Sequence, residues 1–270
     1  MSRRFKWLFA ACLAAVWFAG PALAAGLYGR DCTGETVCPL AGRGYHVLPP
    51  ENWNGVSKLP VLLHFHGWKR QGSLVVKHSR IAGATAPSGV LLVAPNGLHE
   101  SWDFWDADTA DVAFADAVLE DVKRHWPVDE SRIYVSGYSY GSAMAWRFAC
   151  EKGEEVTALL AISGTLPNQM EICPTPPVAV RHVHGLKDTV MDFPFGPGGD
   201  VTWPVALWRR KDGCAAAPDS VADWAVTKHD TFTRYTWSDC TSGKPVILDL
   251  HQRGHFIPVG WIQRQLDELL

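Results

Sequence analysis

Past its first two dozen residues the chain has no apolar run long enough to cross a bilayer, so no membrane partner is expected. Its seven cysteines include no C-x-x-C pair, which removes the usual thiolate zinc sites. Basic residues do not outnumber acidic ones: the formal net charge is −3, and no basic block stands out, which argues against nucleic acid. Internal repeats, coiled-coil heptads and low-complexity linkers are also missing, so solenoids, long coiled coils and strings of small domains are excluded.

The first residues have a processing signature. Arg3, Arg4 and Lys6 precede an apolar run over residues 7–19, and Ala22-Leu23-Ala24 supplies a small-x-small site. Residues 1–24 are expected to be a secretory signal peptide cleaved near Ala24, leaving a secreted or periplasmic chain. Removing three cations takes the net charge from −3 to −6. About 245 residues then remain (25–270), enough for a single α/β domain with one large core. Cys12 leaves with the signal, and six cysteines stay in an oxidising compartment. Six allow 15 connectivities; pairing sequence neighbours gives Cys32–Cys38, Cys150–Cys173 and Cys214–Cys240. Each bridge should contribute roughly 2–4 kcal/mol.

Strand-like and helix-like segments alternate. Apolar runs at 45–48, 60–65, 90–94, 132–136, 158–163, 178–183 and 246–250 read as strands, and 231–237 alternates with period two. Residues 111–126 put Val112, Ala115, Val118, Leu119 and Val122 on one helical face, stopped by Pro127. Residues 142–150, 203–212 and 261–270 are further helices. Continuous apolar strands between helices imply a mainly parallel sheet covered on both faces.

The chemistry centres on Gly137-Tyr138-Ser139-Tyr140-Gly141, between a strand and a helix. G-x-S-x-G in that setting is a nucleophile elbow: a sharp turn that exposes the serine hydroxyl above the sheet. Glycines flank it because side chains there would meet backbone. A serine needs a base held by an acid, in the chain order Ser, Asp, His. Asp188 follows the sixth strand and is the expected acid, with Asp192 the alternate. His255 follows the last strand and is the expected base, with His251 the competitor. Two backbone N–H groups should form the oxyanion hole: that of Tyr140, and that of Trp68 in the loop His66-Gly67-Trp68. His64-x-His66 and His182-x-His184 could suggest a metal, but no clustered Asp or His completes either pair. Hydrogen-bonded histidines are expected instead, with no metal and no cofactor. Trp102 and Trp105, together with Tyr138, are candidates for substrate binding; the competing reading is a loop anchored by buried tryptophans.

These residues together resemble the poly(3-hydroxybutyrate) depolymerase-like esterases, kin of secreted feruloyl and acetylxylan esterases. The resemblance runs from about Gly44 to the end. It rests on Leu63-His64-Phe65-His66-Gly67, Asp111-Val112-Ala113-Phe114, and Trp126-Pro127-Val128-Asp129 leading to Arg132-Ile133-Tyr134-Val135. The elbow, Cys150 with Cys173, His184-Gly185 with Asp188 and Val190, residues 208–214, and Gly254-His255 with Pro258 complete it. It implies an α/β-hydrolase fold with Ser139, Asp188 and His255 as nucleophile, acid and base, the same three residues reached from spacing. Two positions depart from the family pattern: Tyr140, where a small or short polar residue is usual, and Ile257, where tryptophan is common.

The expected activity is therefore ester hydrolysis on a small or oligomeric substrate by a monomer. The alternatives are a true extracellular poly(3-hydroxybutyrate) depolymerase and a non-catalytic binding protein on the same fold. The sequence shows no linker or binding domain after the helix that follows His255, and Tyr138 and Tyr140 add bulk beside the serine. Soluble short, oligomeric or aromatic esters are accordingly expected over crystalline polymer.

Overall fold

The computed structural model describes residues 31–106, 109–167, 173–196 and 199–270; the expected signal peptide at 1–24 lies outside them. In chain order the elements are β1 (Cys38–Leu40), β2 (Arg43–Leu48), β3 (Leu59–Phe65), α1 (Gly72–Val75), α2 (Ala82–Thr85), β4 (Leu91–Pro95) and α3 (Ala110–His125). There follow β5 (Val128–Tyr138), α4 (Tyr140–Glu151), β6 (Ala158–Ile162), β7 (Ala179–Gly185), β8 (Phe195–Gly196), β9 (Gly199–Asp200) and α5 (Trp203–Lys211). The chain closes with β10 (Ser220–Thr227), β11 (Asp230–Trp237), β12 (Val246–His251) and α6 (Trp261–Leu269).

Ten strands form one sheet in the order β1-β2-β4-β3-β5-β6-β7-β12-β11-β10. The six from β4 to β12 are parallel, and antiparallel strands flank them on both sides. Parallel neighbours need crossovers, and the helices supply them, so both faces are covered. The apolar strands divide by their period of two. On β3, Val61, Leu63 and Phe65 join the core beneath α3, α4 and α5, whereas Leu62 joins the one beneath α2 and α6. Helix α3 buries the expected stripe of Val112, Ala115, Val118, Leu119 and Val122. Its N-cap Thr109 accepts from the Asp111 N–H, and Lys123, Arg124 and His125 fill the last turn, where the helix dipole favours cations. The three expected disulfides are present: Cys32–Cys38, Cys150–Cys173 and Cys214–Cys240.

The far end of the sheet is tied by a buried ionic knot. Asp249 on β12 takes two 2.8 Å hydrogen bonds from the Arg234 guanidinium of β11. It also accepts the indole N–H groups of Trp224 (2.9 Å) and Trp261 (2.8 Å). Arg234 reaches on to Glu268 of α6 at 2.8 Å. A buried charge with every lone pair used in this way is tolerated, and it fixes the register of three strands against α6. No helix among the described residues is long and apolar enough to cross a membrane.

Candidate active site

The strand β5 ends at Tyr138 and α4 begins at Tyr140, so the whole reversal falls on Ser139. Its backbone sits at φ 58°, ψ −122°, a conformation that is costly for any residue with a side chain. The surroundings hold it there. The Ser139 N–H donates to Ile162 O at 3.0 Å, and its carbonyl accepts the N–H groups of Ser142 (2.9 Å) and Ala143 (3.1 Å). The flanking glycines are sterically required. A Cβ on Gly137 would lie 2.0 Å from Gly141 O, and one on Gly141 would lie 2.0 Å from Phe65 O and 2.4 Å from His66 O.

Asp188 and His255 come together from loops after two neighbouring parallel strands, β7 and β12. The His255 Nδ1 donates to Asp188 Oδ2 at 2.7 Å, and Asp188 Oδ1 accepts the N–H groups of Val190 (2.9 Å) and Met191 (2.8 Å). Burial alone would raise the Asp188 pKa. The bonds from His255, Met191 and Val190 outweigh it and hold the carboxyl below its ordinary range. An ionised Asp188 can only accept, so Nδ1 of His255 carries the proton and Nε2 is left to act as a base. Asp192 is exposed and makes no hydrogen bond to His255 among the described residues. His251 is buried, accepts the Arg253 N–H on Nδ1 at 3.2 Å, and is held down to about 4 by burial, then by His184 and Arg253.

His184 and Tyr138 support this pair and were not singled out for that role from sequence. The Nε2 of His184 donates to Met191 O at 2.8 Å, pinning the far side of the Asp188 loop, and lies 3.4 Å from Asp188 Oδ2. The Tyr138 hydroxyl donates to His255 O at 3.2 Å, and the two rings lie 4.8 Å apart. Burial and the nearby negative Asp188 push the Tyr138 phenol up to about 12, so it remains a donor. Ser139 Oγ makes no hydrogen bond to His255 among the described residues; such contacts commonly tighten only when substrate is bound.

The loop after β3 lies against the elbow. A Cβ on Gly67 would be 3.7 Å from the Ser139 Cβ. His66 fixes the loop, with Nδ1 donating to Gly67 O (2.8 Å) and Nε2 accepting the Gly97 N–H (2.9 Å). Burial holds His66 down to about 4, and the neutral ring that results can make both bonds at once. The Lys69 N–H continues the anchorage on Glu100 O at 2.8 Å. Neither the Trp68 nor the Tyr140 backbone N–H has an acceptor among the described residues. The other histidine candidates are likewise engaged or buried. His64 Nδ1 meets Ser136 Oγ at 3.1 Å, and His182 is held well below its ordinary range by burial, then by His184.

Trp102 does not offer a stacking face. It is 3% exposed, its indole N–H donates to His66 O at 2.8 Å, and its ring packs edge-on against Phe65. It anchors the loop, as the competing reading had it. Trp105 is 39% exposed and sits on Phe104, which meets Tyr140 edge-on at 5.3 Å; Tyr140 in turn lies 6.3 Å from Trp68, 57% exposed. Aromatic rings thus run from Trp68 past the elbow to Trp105. From sequence Trp68 enters only through its N–H; its position three residues past β3 is the available signal for its ring. Two arginines clamp the aromatic loop from below. Arg147, on the buried face of α4, donates to Phe104 O (3.2 Å) and Asp106 O (2.7 Å). Arg43 pairs with Asp111 at 2.5 Å, and Asp111 accepts the Asp103 N–H at 2.7 Å.

No protein-family model matches the chain. In sequence it is similar to a bifunctional acetylxylan esterase/xylanase of Neocallimastix patriciarum, 26% identical over 80% of this chain but only 31% of that protein. A probable feruloyl esterase C of Aspergillus niger is 29% identical over 69% of this chain and 76% of its own length. Feruloyl esterase D of Neurospora crassa is 25% identical over 87% and 84%. Among solved structures, the acetyl xylan esterase from Aspergillus awamori superposes with a TM-score of 0.60 over 83% of this chain and 92% of its own, at 16% identity. The α/β-hydrolase fold is therefore established, and the resemblance to feruloyl and acetylxylan esterases is borne out. The chain spans about a third of the first of these relatives and most of the other two.

Proposed function

We propose that this protein is an exported serine carboxylesterase acting on soluble acetyl-sugar or aromatic acyl esters. One observation carries the reading. A serine held at φ 58° on a strand-to-helix turn shares the carboxyl edge of one sheet with a histidine bonded to a carboxylate at 2.7 Å. In this reading His255 Nε2 takes the Ser139 proton as Oγ attacks the ester carbonyl. Asp188 keeps the imidazole in its Nδ1–H form and stabilises the imidazolium. The N–H groups of Trp68 and Tyr140 hold the oxyanion, helped by the N-terminus of α4. His255 then protonates the leaving alcohol, and water repeats the cycle on the acyl-enzyme.

The substrate class draws support from the names of the relatives and from the aromatic run between Trp68 and Trp105, on which sugars and phenolic acids stack. Three disulfides support an oxidising compartment. The decisive experiment is labelling with a fluorophosphonate probe beside hydrolysis of 4-nitrophenyl acetate, methyl ferulate and acetylated xylan. Ser139 should be labelled and Ser139→Ala should be silent in every assay. Absence of labelling on the folded wild-type protein would refute the esterase reading. Rapid clearing of poly(3-hydroxybutyrate) granules with poor turnover of the soluble esters would refute the substrate assignment.

A further inference from the structure

A cavity of about 770 Å³ opens beside the elbow, with Gly67 and Tyr138 in its wall. Gly67 also packs on Ser139, so the cavity and the serine share a partition one residue thick. The volume suits a small-molecule subsite. Its floor is apolar, from the buried residues Val75, Ile81 and Ile257. Its charges are of one sign: Arg70, Lys77 and Arg80 line it, and no Asp or Glu does. Lys77 is exposed and paired with Glu35 at 2.8 Å. The two arginines differ from it, since neither has a carboxylate partner among the described residues.

Arg80 is preorganised. Its Nη1 donates to Ile257 O at 2.5 Å, and its guanidinium lies 5.6 Å from the Phe256 ring centre, which fixes the fork beside the loop that carries His255. Arg70 lies close enough to Tyr138 to act on its phenol. The histidines in the wall add little charge at neutral pH, because burial lowers His78 and takes His64 to about 3. An apolar floor beneath two uncompensated guanidiniums is the chemistry of a site for a carboxylate on a short apolar stem.

We propose that this cavity binds a carboxylate carried by the ester substrate, with Arg70 and Arg80 determining that specificity. The proposal rests on the esterase reading above and names its substrate class more closely: an ester with a free carboxylate a few carbons from the scissile bond. The carboxylate can come from the acyl chain or from an acidic sugar on the alcohol side. Both present the same group to the cavity behind Gly67.

Matched esters test it. One pair is 4-nitrophenyl pentanoate and the mono-4-nitrophenyl ester of glutaric acid; the other is an acetylated methyl glucoside and its glucuronic acid counterpart. In at least one pair the wild-type protein should favour the anionic member in kcat/KM at low salt, and the preference should shrink as salt rises. That ratio should fall about tenfold in Arg70→Gln and further in Arg70→Glu, as expected for losing and then reversing one half-solvated charge contact. Arg70 is exposed, so neither change should threaten folding; Arg80→Met should move the same ratio. A preference for the neutral member in both pairs, or a ratio indifferent to Arg70→Glu, would overturn the proposal. A readout without turnover separates this test from the esterase reading. Glutarate should raise the melting temperature of Ser139→Ala in a dose-dependent way, and should fail to do so when Arg70→Glu is added. If no ester is hydrolysed, the esterase reading falls, while the glutarate titration still decides the anion site. No glutarate shift in Ser139→Ala would count against it.

Discussion

Asp212 should make this protein lose stability as the pH rises from about 4 towards neutrality. It caps the C-terminal end of α5, where the helix dipole disfavours negative charge. Its side chain is wholly buried, and neither carboxyl oxygen has a hydrogen-bond partner among the described residues. Burial pushes its pKa up to about 7, only partly opposed by Lys211 and Lys244. The sign follows from linkage. The folded state holds the proton more tightly than the unfolded chain, whose carboxyl titrates near 3.9. The stabilisation is therefore fully present below about pH 4 and is lost progressively as the pH rises to about 7. A gap of roughly three pKa units corresponds to about 4 kcal/mol. Asp212→Asn keeps the shape and removes the charge, while still burying a polar group that costs about 1–3 kcal/mol if unpaired. The variant should thus be no more stable than wild type at pH 4 and clearly more stable at pH 8. Urea unfolding of both proteins across pH 4–8, with disulfides intact, measures the difference directly. A variant-minus-wild-type difference that stays flat over that range would refute the reasoning, because it would mean that Asp212 does not titrate differently on folding.

Three other outcomes are expected. Asp188→Asn should lower kcat by about 10⁴ by leaving His255 in the wrong tautomer, whereas Asp192→Asn should leave kcat near wild type; the opposite ranking in a 4-nitrophenyl acetate assay would reassign the acid. Asp249→Ala should cost about 3–5 kcal/mol, because it takes from Arg234 its buried carboxylate partner, leaving only the more exposed Glu268, and leaves the buried Trp261 and part-buried Trp224 indole N–H groups without an acceptor; denaturant midpoints at pH 7 test it, and a loss under about 1 kcal/mol would show that the knot contributes little to stability. Tyr138→Phe removes the hydrogen bond to His255 O and should reduce kcat several-fold with KM little changed; an equal fall in kcat at every pH together with an unchanged melting curve supports positioning, and an unaltered kcat excludes it.

What was readable in the sequence is what local chemistry dictates. Six parallel strands are legible because they are buried on both faces and so are written as continuous apolar runs. The stripe of α3 and the stop at Pro127 are equally local. The strand β10 was missed for a matching reason: seven of its eight residues are exposed, so neither a period of two nor an apolar run marks it. It is held by its ladder to β11 and by the Trp224 ring stacked 4.2 Å from Phe232, both contacts that become visible only once the chain is folded. The single-turn helices α1 and α2 are too short to carry a periodic signal.

The site divides along the same line. Glycines 137 and 141 could be assigned from the motif because the elbow's geometry is local, and the 2.0 Å approaches that forbid a Cβ explain why. Chain order ranks Asp188 over Asp192 and His255 over His251, the latter because His251 is the last residue of β12, but it cannot show which side chains meet. The decision falls to long-range partners. Asp188 turns one oxygen to its own loop and the other to His255, while His251 is locked by the Arg253 N–H and by burial. Trp102 shows the limit most clearly. Composition makes it a sugar platform as readily as an anchor, and the question is settled by a single bond to His66 O from a residue 36 positions away. That bond also links the aromatic loop to the loop bearing Trp68, both of which frame Ser139. A residue taken at first for a ligand contact therefore holds together the two loops between which a ligand would sit.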